Sequence, residues 1–316
     1  MYLPLFDRRI YPNYDMDISS YIVNTEKCMS GFEKRRTGRC PGLWGLMVIL
    51  LIVCSGTPAV GEEIAPWNEK NLAEISVEDP SGFTFAVFGD AQEGTDVFPV
   101  ILDMIEEDPD ISFVIGVGDL VTTGSAGEYD AMMELLRGRL TIPLLWVAGN
   151  HEYMGGGKAR YEILVGHPDF SFVVGDVTFI MFDGAHPSRP SDDRLLWLER
   201  ELSRARERGM CLVFLHRPLF DPRGGGYHES LEDDYAEELL ELFQTYRVHH
   251  VFCGHVHGSF HGRWEGIPYA VTGGAGGTLD GDDPDTYFYH YLRAHVSGNA
   301  LRIGTVRIPS ERTTEE

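Results

Sequence analysis

Short apolar runs alternate with amphipathic stretches from Phe83 to about residue 308. FTFAVFGD (83–90), ISFVIGVGD (111–119) and LLWVAGN (144–150) have the length and apolar continuity of buried strands. Between the first two, residues 97–107 put Val97, Ile101 and Met104 on one helical face, with Phe98 and Ile105 beside them. A second helix is expected within 127–138, so the order βαβαβ predicts parallel strands with helical crossovers. Residues 170–183 predict an antiparallel hairpin turning at Gly175-Asp176. A helix at 192–209, with Leu195, Leu198 and Leu202 at packing spacing and Gly209 as its stop, precedes a strand at 211–216. The next helix, 230–246, has Ser230 as the expected N-cap and Tyr235, Leu239 and Leu242 inward, before a strand at 249–255. Segments 260–264, 267–273, 287–296 and 300–308 read as antiparallel strands with turns at Glu265-Gly266 and Gly298-Asn299. These elements predict one α/β domain over 81–310, with two packed mixed β-sheets between helical layers and a polar tail at 311–316. Residues 62–80 contain Pro66 and Pro80, show no period, and read as a linker. The glycine runs at 155–157 and 224–226 read as flexible surface, with close backbone approach to a ligand as the alternative.

The N-terminal region follows different rules. KRRTGRCPG begins at Lys34, the apolar run LWGLMVILLIVC fills 43–54, and SGTPAVGEE follows. A basic segment, a short apolar core and a small-residue exit are the parts of a secretory signal peptide. Twelve apolar residues are short for a full bilayer crossing. Residues 1–61 are therefore expected to be an N-terminal extension plus a signal that is cleaved or retained as a membrane anchor, with Met29 an alternative start to Met1. Either outcome implies export, to the extracellular side or facing the cell envelope.

Charge narrows the partners. With 26 basic and 49 acidic residues the net charge is -23, which disfavours binding to a nucleic-acid backbone. A small phosphate substrate remains compatible, because bound metal ions invert the local field. Cys211 and Cys253 lie in apolar strand runs and read as buried free thiols, so no disulfide framework is implied.

Five strand ends finish in metal-compatible side chains: Asp90-Ala91-Gln92, Gly118-Asp119, Gly149-Asn150-His151-Glu152, His216, and Gly254-His255-Val256-His257. Ligands of parallel α/β sheets bind beyond the carboxyl ends of the strands, so these ends are expected at one rim. Asp oxygen and His nitrogen suit Mn, Fe or Zn. Asp119 is the natural candidate to bridge two ions, and an Asn oxygen adds a neutral ligand. Two ions roughly 3.5–4 Å apart lower the pKa of a shared water and clamp both oxygens of an in-line displacement.

The order GD, GNHE, a lone His and GHVH resembles the calcineurin-like metallophosphoesterase superfamily, which includes the purple acid phosphatases. The resemblance implies a four-layer αββα sandwich and two divalent or trivalent ions. One ion would be held by Asp90, Gln92, Asp119 and His257, the other by Asp119, Asn150, His216 and His255. His151 would face the leaving oxygen of a small phosphomonoester or phosphodiester, attacked in line by a hydroxide shared between the ions, and Glu152 would support the His151 region. A non-catalytic metal- or phosphate-binding module on the same fold is the alternative. Gln92 stands where the family pattern has His, which puts the first ion in question. Thr122 stands where purple acid phosphatases carry their tyrosine ligand, so no purple charge-transfer centre is expected. Arg217, next to His216, is a candidate substrate contact, and His186 and Arg189 are candidates for the rim.

Overall fold

The computed structural model describes residues 65–92, 94–224 and 230–309. The expected signal or anchor at 43–54 and the tail 311–316 lie outside them, and among the described residues no helix is long and apolar enough to cross a membrane.

The first sheet holds three parallel strands, β1 (Gly82–Phe88), β2 (Ile111–Gly116) and β3 (Leu144–Trp146). The second holds β4 (Phe170–Val174), β5 (Val177–Met181), β6 (Met210–Phe214), β7 (His250–Cys253), β8 (Ser259–Trp264) and β9 (Ile267–Thr272) in the order β4-β5-β6-β7-β9-β8. The chain then returns to the first sheet through β10 (His290–Ser297) and β11 (Ala300–Arg307), which complete the order β11-β10-β1-β2-β3. Both sheets are mixed. β10 runs antiparallel to β1, and β4 and β8 are antiparallel edges of the second sheet. β9 is antiparallel to β8 but parallel to β7, a crossover that the short connection through residues 254–258 and β8 makes available.

The period-2 alternation of the strands separates the core into layers. Phe85, Val87, Phe113 and Ile115 of the first sheet meet Phe179, Met181, Phe214 and Phe252 of the second to form the buried inter-sheet layer. Ala86, Phe88 and Val114 point the other way, against α2 (Phe98–Glu106) and α3 (Ala126–Arg139). Ile180, Val213 and Val251 pack outward against α5 (Asp192–Arg208) and α6 (Asp233–Tyr246). The result is the four-layer αββα sandwich. Local chemistry starts the helices. Ser125 and Glu128 close a reciprocal capping box on α3. On α6 the N-cap is Glu232, not Ser230, because Ser230 turns its hydroxyl to the Leu231 carbonyl. Leu102, not Met104, is fully buried on α2.

Two further expectations are corrected. The segment expected as a linker contains α1 (Trp67–Glu74), docked on β3. Asn68 accepts from Trp146 N at 2.7 Å and donates to Trp146 O at 2.8 Å, while Asn71 accepts from Leu144 N at 3.1 Å and Trp67 Nε1 donates to Leu144 O at 2.8 Å. Helix side chains thus pair the open edge of β3 and block its use as a pairing template. Apolar periodicity could not reveal this helix, because its buried positions are asparagines. Of the glycines at 155–157, Gly155 and Gly156 are exposed as expected, whereas Gly157 is buried, with a Cβ there 2.0 Å from the Glu152 carbonyl. Together they close a 3-10 segment, His151–Gly156, and start α4 (Gly157–Leu164), with Gly155 and Gly156 at positive φ.

Candidate metal centre

Asp90 follows β1, Asp119 follows β2, Asn150 follows β3, His216 follows β6, and His255 and His257 follow β7. The carboxyl ends of both sheets therefore meet at one rim, as the strand ends predicted. The backbone there is held in an uncommon conformation. Six described non-glycine residues have positive φ, and four of them are Asp90 (64°), Gln92 (38°), Asp119 (55°) and His255 (71°). Each such residue costs on the order of 1–3 kcal/mol, so the rest of the fold must over-determine these turns. Flanking glycines make the approach possible: a Cβ on Gly149 would lie 2.2 Å from Asp119 Oδ1, and one on Gly254 would lie 2.5 Å from Asp90 Oδ2.

At the centre is His216, fully buried. Its Nδ1–H donates to the Val117 carbonyl at 2.9 Å, which leaves the lone pair of Nε2 facing the rim. That nitrogen lies 3.1 Å from Asn150 Oδ1, 3.1 Å from His255 Nδ1 and 3.2 Å from Asp119 Oδ2. With Nε2 unprotonated, an imidazole lone pair, an amide oxygen and a carboxylate oxygen are all acceptors and cannot bond one another, so a cation belongs among them: a proton on Nε2 in the metal-free state, or a metal ion in its place. Asp119, His216 and His255 present ligand atoms all within 4.8 Å of one another. The residues present fit a metal ion.

A second set adjoins the first. His257 donates Nδ1–H to the Thr278 carbonyl at 2.6 Å and turns Nε2 to Asp90 Oδ1 at 3.4 Å. Asp90 is fully buried and accepts the His255 backbone N–H at 2.9 and 3.0 Å. Gln92 sits at the edge of this set, with Nε2 3.4 Å from Asp119 Oδ2. The two halves are unequal: an amide replaces one imidazole in the half of Asp90 and His257.

Charge in the cluster follows from these contacts. Burial alone would push His216 down, but the Asp119 carboxylate, its hydrogen bond and Asp90 outweigh it and raise the ring to about 9. His257 behaves alike: burial opposes charge, and the Asp90 hydrogen bond and charge raise it to about 9. His255 is pushed the other way, to about 2, by burial and by His216 and Arg217. Asp119 is drawn well below the carboxylate range: burial opposes ionisation, and His216 and His151 overcome it.

His151 stands at the mouth, its side chain 27% exposed. Its Nδ1 is 2.5 Å from the Thr122 carbonyl, and its Nε2 is 3.8 Å from Asp119 Oδ2. Glu152 points the opposite way, into the core, fully buried. Its Oε2 accepts Gly149 N at 2.6 Å and Asp119 N at 2.8 Å. Its Oε1 accepts Leu120 N at 2.8 Å, Val121 N at 3.4 Å and Trp146 Nε1 at 3.2 Å. One carboxylate therefore ties the loop after β2 to the loop after β3. Arg217 is engaged at the rim, with Nε donating to Ala185 O at 3.2 Å and Nη1 2.6 Å from His255 Nε2. Arg189 is not brought to the rim. It pairs with Glu238 on α6 at 2.6 Å and with Asp192 at 2.7 Å. His186 bonds Ser188 N within its own loop at 3.2 Å. Asp183 supports the loop that carries Ala185, accepting Ala185 N at 3.1 Å and the Tyr153 hydroxyl at 3.0 Å. Sequence reasoning missed the carbonyls of Val117, Thr122 and Thr278, which fix three imidazole orientations. A backbone acceptor has no sequence signal. It also missed Asp280, which accepts His257 N at 3.0 Å.

Fold and site define a class. The chain belongs to the calcineurin-like phosphoesterase family, whose pattern matches residues 83–259, and it is a metallophosphoesterase. Over 222 residues, 62% of this chain and 77% of its relative, it is 31% identical to a probable cyclic nucleotide phosphodiesterase of Rhodopseudomonas palustris. Over 169 residues, 51% of this chain and 60% of its relative, it is 28% identical to the 3',5'-cyclic adenosine monophosphate phosphodiesterase CpdA of Pseudomonas aeruginosa. Among solved structures it is similar in fold to a purple acid phosphatase from yellow lupin, with a TM-score of 0.60, 18% identity, and coverage of 72% of this chain and 52% of that one.

Proposed function

We propose that the chain hydrolyses small phosphodiesters at a centre of two metal ions. The observation that carries this is the convergence of Asp119, Asn150 and His255 on the Nε2 of His216, within 3.2 Å, with Asp90 and His257 adjoining. Asp119, Asn150, His216 and His255 would hold one ion, and Asp90, Gln92, Asp119 and His257 the other, with Asp119 between them. Bound there, the ions would supply Lewis-acid polarisation of the phosphoryl oxygens and a water acidic enough to attack phosphorus in line. Mn, Fe and Zn all suit this donor set.

The chain's own residues supply the remainder. Val117 and Thr278 carbonyls fix the tautomers of His216 and His257, so that each presents Nε2 to the site. Thr122 O holds Nδ1–H of His151, so that the imidazolium form presents Nε2–H at the mouth, where it can protonate a departing alkoxide oxygen. Arg217 steadies His255 and stands close enough to the rim to meet a substrate phosphoryl oxygen. The diester preference is supported by the similarity to phosphodiesterases and by the net charge of -23, which disfavours polyanionic substrates. The basic segment from Lys34 and the apolar run 43–54 support export of the chain, cleaved or anchored.

The test is a paired assay of metal-loaded protein on bis(p-nitrophenyl) phosphate and p-nitrophenyl phosphate. The expected result is a higher kcat/KM on the diester. A higher value on the monoester overturns the diester preference, and no hydrolysis of either with Mn, Fe or Zn overturns the catalytic reading.

A further inference from the structure

At the other end of the sheets a groove of about 390 Å³ opens between the two edge strands β8 and β11. His261 on β8 meets Thr305 on β11 across it at 3.3 Å. Its floor is His250, the first residue of β7, 8% exposed and packed at a tilt against Phe252 of the inter-sheet layer with ring centroids 4.5 Å apart. His250 lies five residues before the metal-site His255 on the same strand path. At about 3.3 Å per residue the groove is roughly 15 Å from the metal centre and separate from it.

Three observations say what this groove takes. First, the Nε2 of His250 is buried and has no hydrogen-bond partner. A buried polar nitrogen left unpaired is unfavourable, so a ligand group that supplies its hydrogen bond gains affinity there. Second, the mouth carries one fixed positive charge and no carboxylate. Arg263 lines it beside His249 and His261, whose rings burial pushes down, and no Asp or Glu does, in a chain that carries 49 of them. The Arg263 guanidinium donates to the Gly266 carbonyl at 2.8 Å and has no carboxylate partner among the described residues. Third, Met210, Pro268, Leu301 and Ile303 give the walls an apolar surface. The volume lies in the range of sites for small organic molecules and exceeds what a bare inorganic ion fills.

We propose that this groove binds a small organic anion, its carboxylate or phosphoryl head on His250, His261 and Arg263 and its apolar body against Met210, Leu301 and Ile303. Burial, together with the nearby His261 and Arg263, pushes the His250 ring down to about 3, so it meets the anion as a neutral N–H donor. The charge of the pair comes from Arg263. The proposal is independent of the chemistry at the metal centre.

The full chain with 13C,15N-labelled histidine tests it by NMR, with His250 as reporter. The probes are hexanoate, the non-hydrolysable butylphosphonate, inorganic phosphate, and hexanol as the neutral control. The expected result is a saturable shift of the His250 ring signals with hexanoate, butylphosphonate or both. Binding should be at least tenfold weaker with hexanol and with inorganic phosphate. A response to both anions assigns any anionic head, and a response to butylphosphonate alone assigns a phosphoryl head. Arg263→Gln and His261→Gln, both on exposed positions of an edge strand, should weaken binding at least tenfold while leaving the circular dichroism spectrum unchanged. No saturable shift with either organic anion overturns the proposal. So does an equal response to hexanol, or undiminished binding in Arg263→Gln.

Discussion

Replacing Glu152 with Gln changes one atom and should loosen the whole rim. The carboxylate accepts five N–H groups, two on Oε2 (Gly149 and Asp119) and three on Oε1 (Leu120, Val121 and Trp146). The amide has one oxygen, so whichever way it turns, its NH2 faces at least two buried donors. Hydrogen bonds to a charged acceptor contribute about 1.5–3 kcal/mol each, so losing two costs roughly 3–6 kcal/mol. Part of this is offset. Burial and the neighbouring Asp119 push the Glu152 carboxyl up to about 7, and the neutral amide escapes both. A protonated carboxyl gains nothing at this site, because every neighbour is a donor and its O–H finds no acceptor. A net loss of about 2 kcal/mol remains, which lowers the midpoint of thermal unfolding by roughly 4–8 °C for a domain of this size. The backbone N–H groups of Asp119 and Gly149 are the ones set free, so metal affinity should fall with stability. Thermal unfolding of metal-free protein at pH 7, beside a metal titration, reads both. A Glu152→Gln variant as stable as the parent, binding metal equally well, would mean that this carboxylate does not hold the two loops together.

Metal and proton compete for the same nitrogens. In the metal-free state His216 and His257 are raised to about 9, so near pH 7 both rings hold a proton that an ion must displace. Affinity for Mn or Zn should therefore rise from pH 7 to 9 with release of up to two protons, read by calorimetry in buffers of different ionisation enthalpy; a flat profile would contradict it. The sign for the metal-free fold is the reverse. Rings raised above their unfolded value of 6.5 lend stability below pH 6.5 that is lost as the pH rises through 9. In the first turn of α1, Asn68→Ala removes two backbone bonds to Trp146 and should cost roughly 1–3 kcal/mol in urea unfolding, without effect on metal content. An unchanged midpoint would mean that α1 does not hold the edge of β3.

The strand ends were the most legible part of the chain. Each of Asp90, Asp119, Asn150, His216 and His255 ends an apolar run, and a parallel sheet leaves those ends little freedom to go elsewhere. The hairpin at Gly175-Asp176 and the helix ending at Gly209 were legible for the same reason, since turn and stop residues act locally. What sequence could not show was carried by contacts far apart in the chain. Asn68 and Asn71 bury polar amides against a strand edge more than 70 residues away, which no hydrophobic period records. Glu152 lies beside the histidine of its motif, yet three of its five partners, the N–H groups of Asp119, Leu120 and Val121, belong to another loop. His250 reads as one more residue of a strand, and only its position under the groove that Arg263 lines sets it apart.

The cluster around His216 is proposed to hold two ions that drive ester hydrolysis. Metal analysis of purified protein, before and after exhaustive chelation and with hydrolysis of bis(p-nitrophenyl) phosphate followed on the same samples, tests it most directly. The expected result is two ions per chain, loss of hydrolysis on their removal, and recovery on adding Mn, Fe or Zn. A chain that binds no metal, or hydrolysis that survives complete removal of metal, would contradict it.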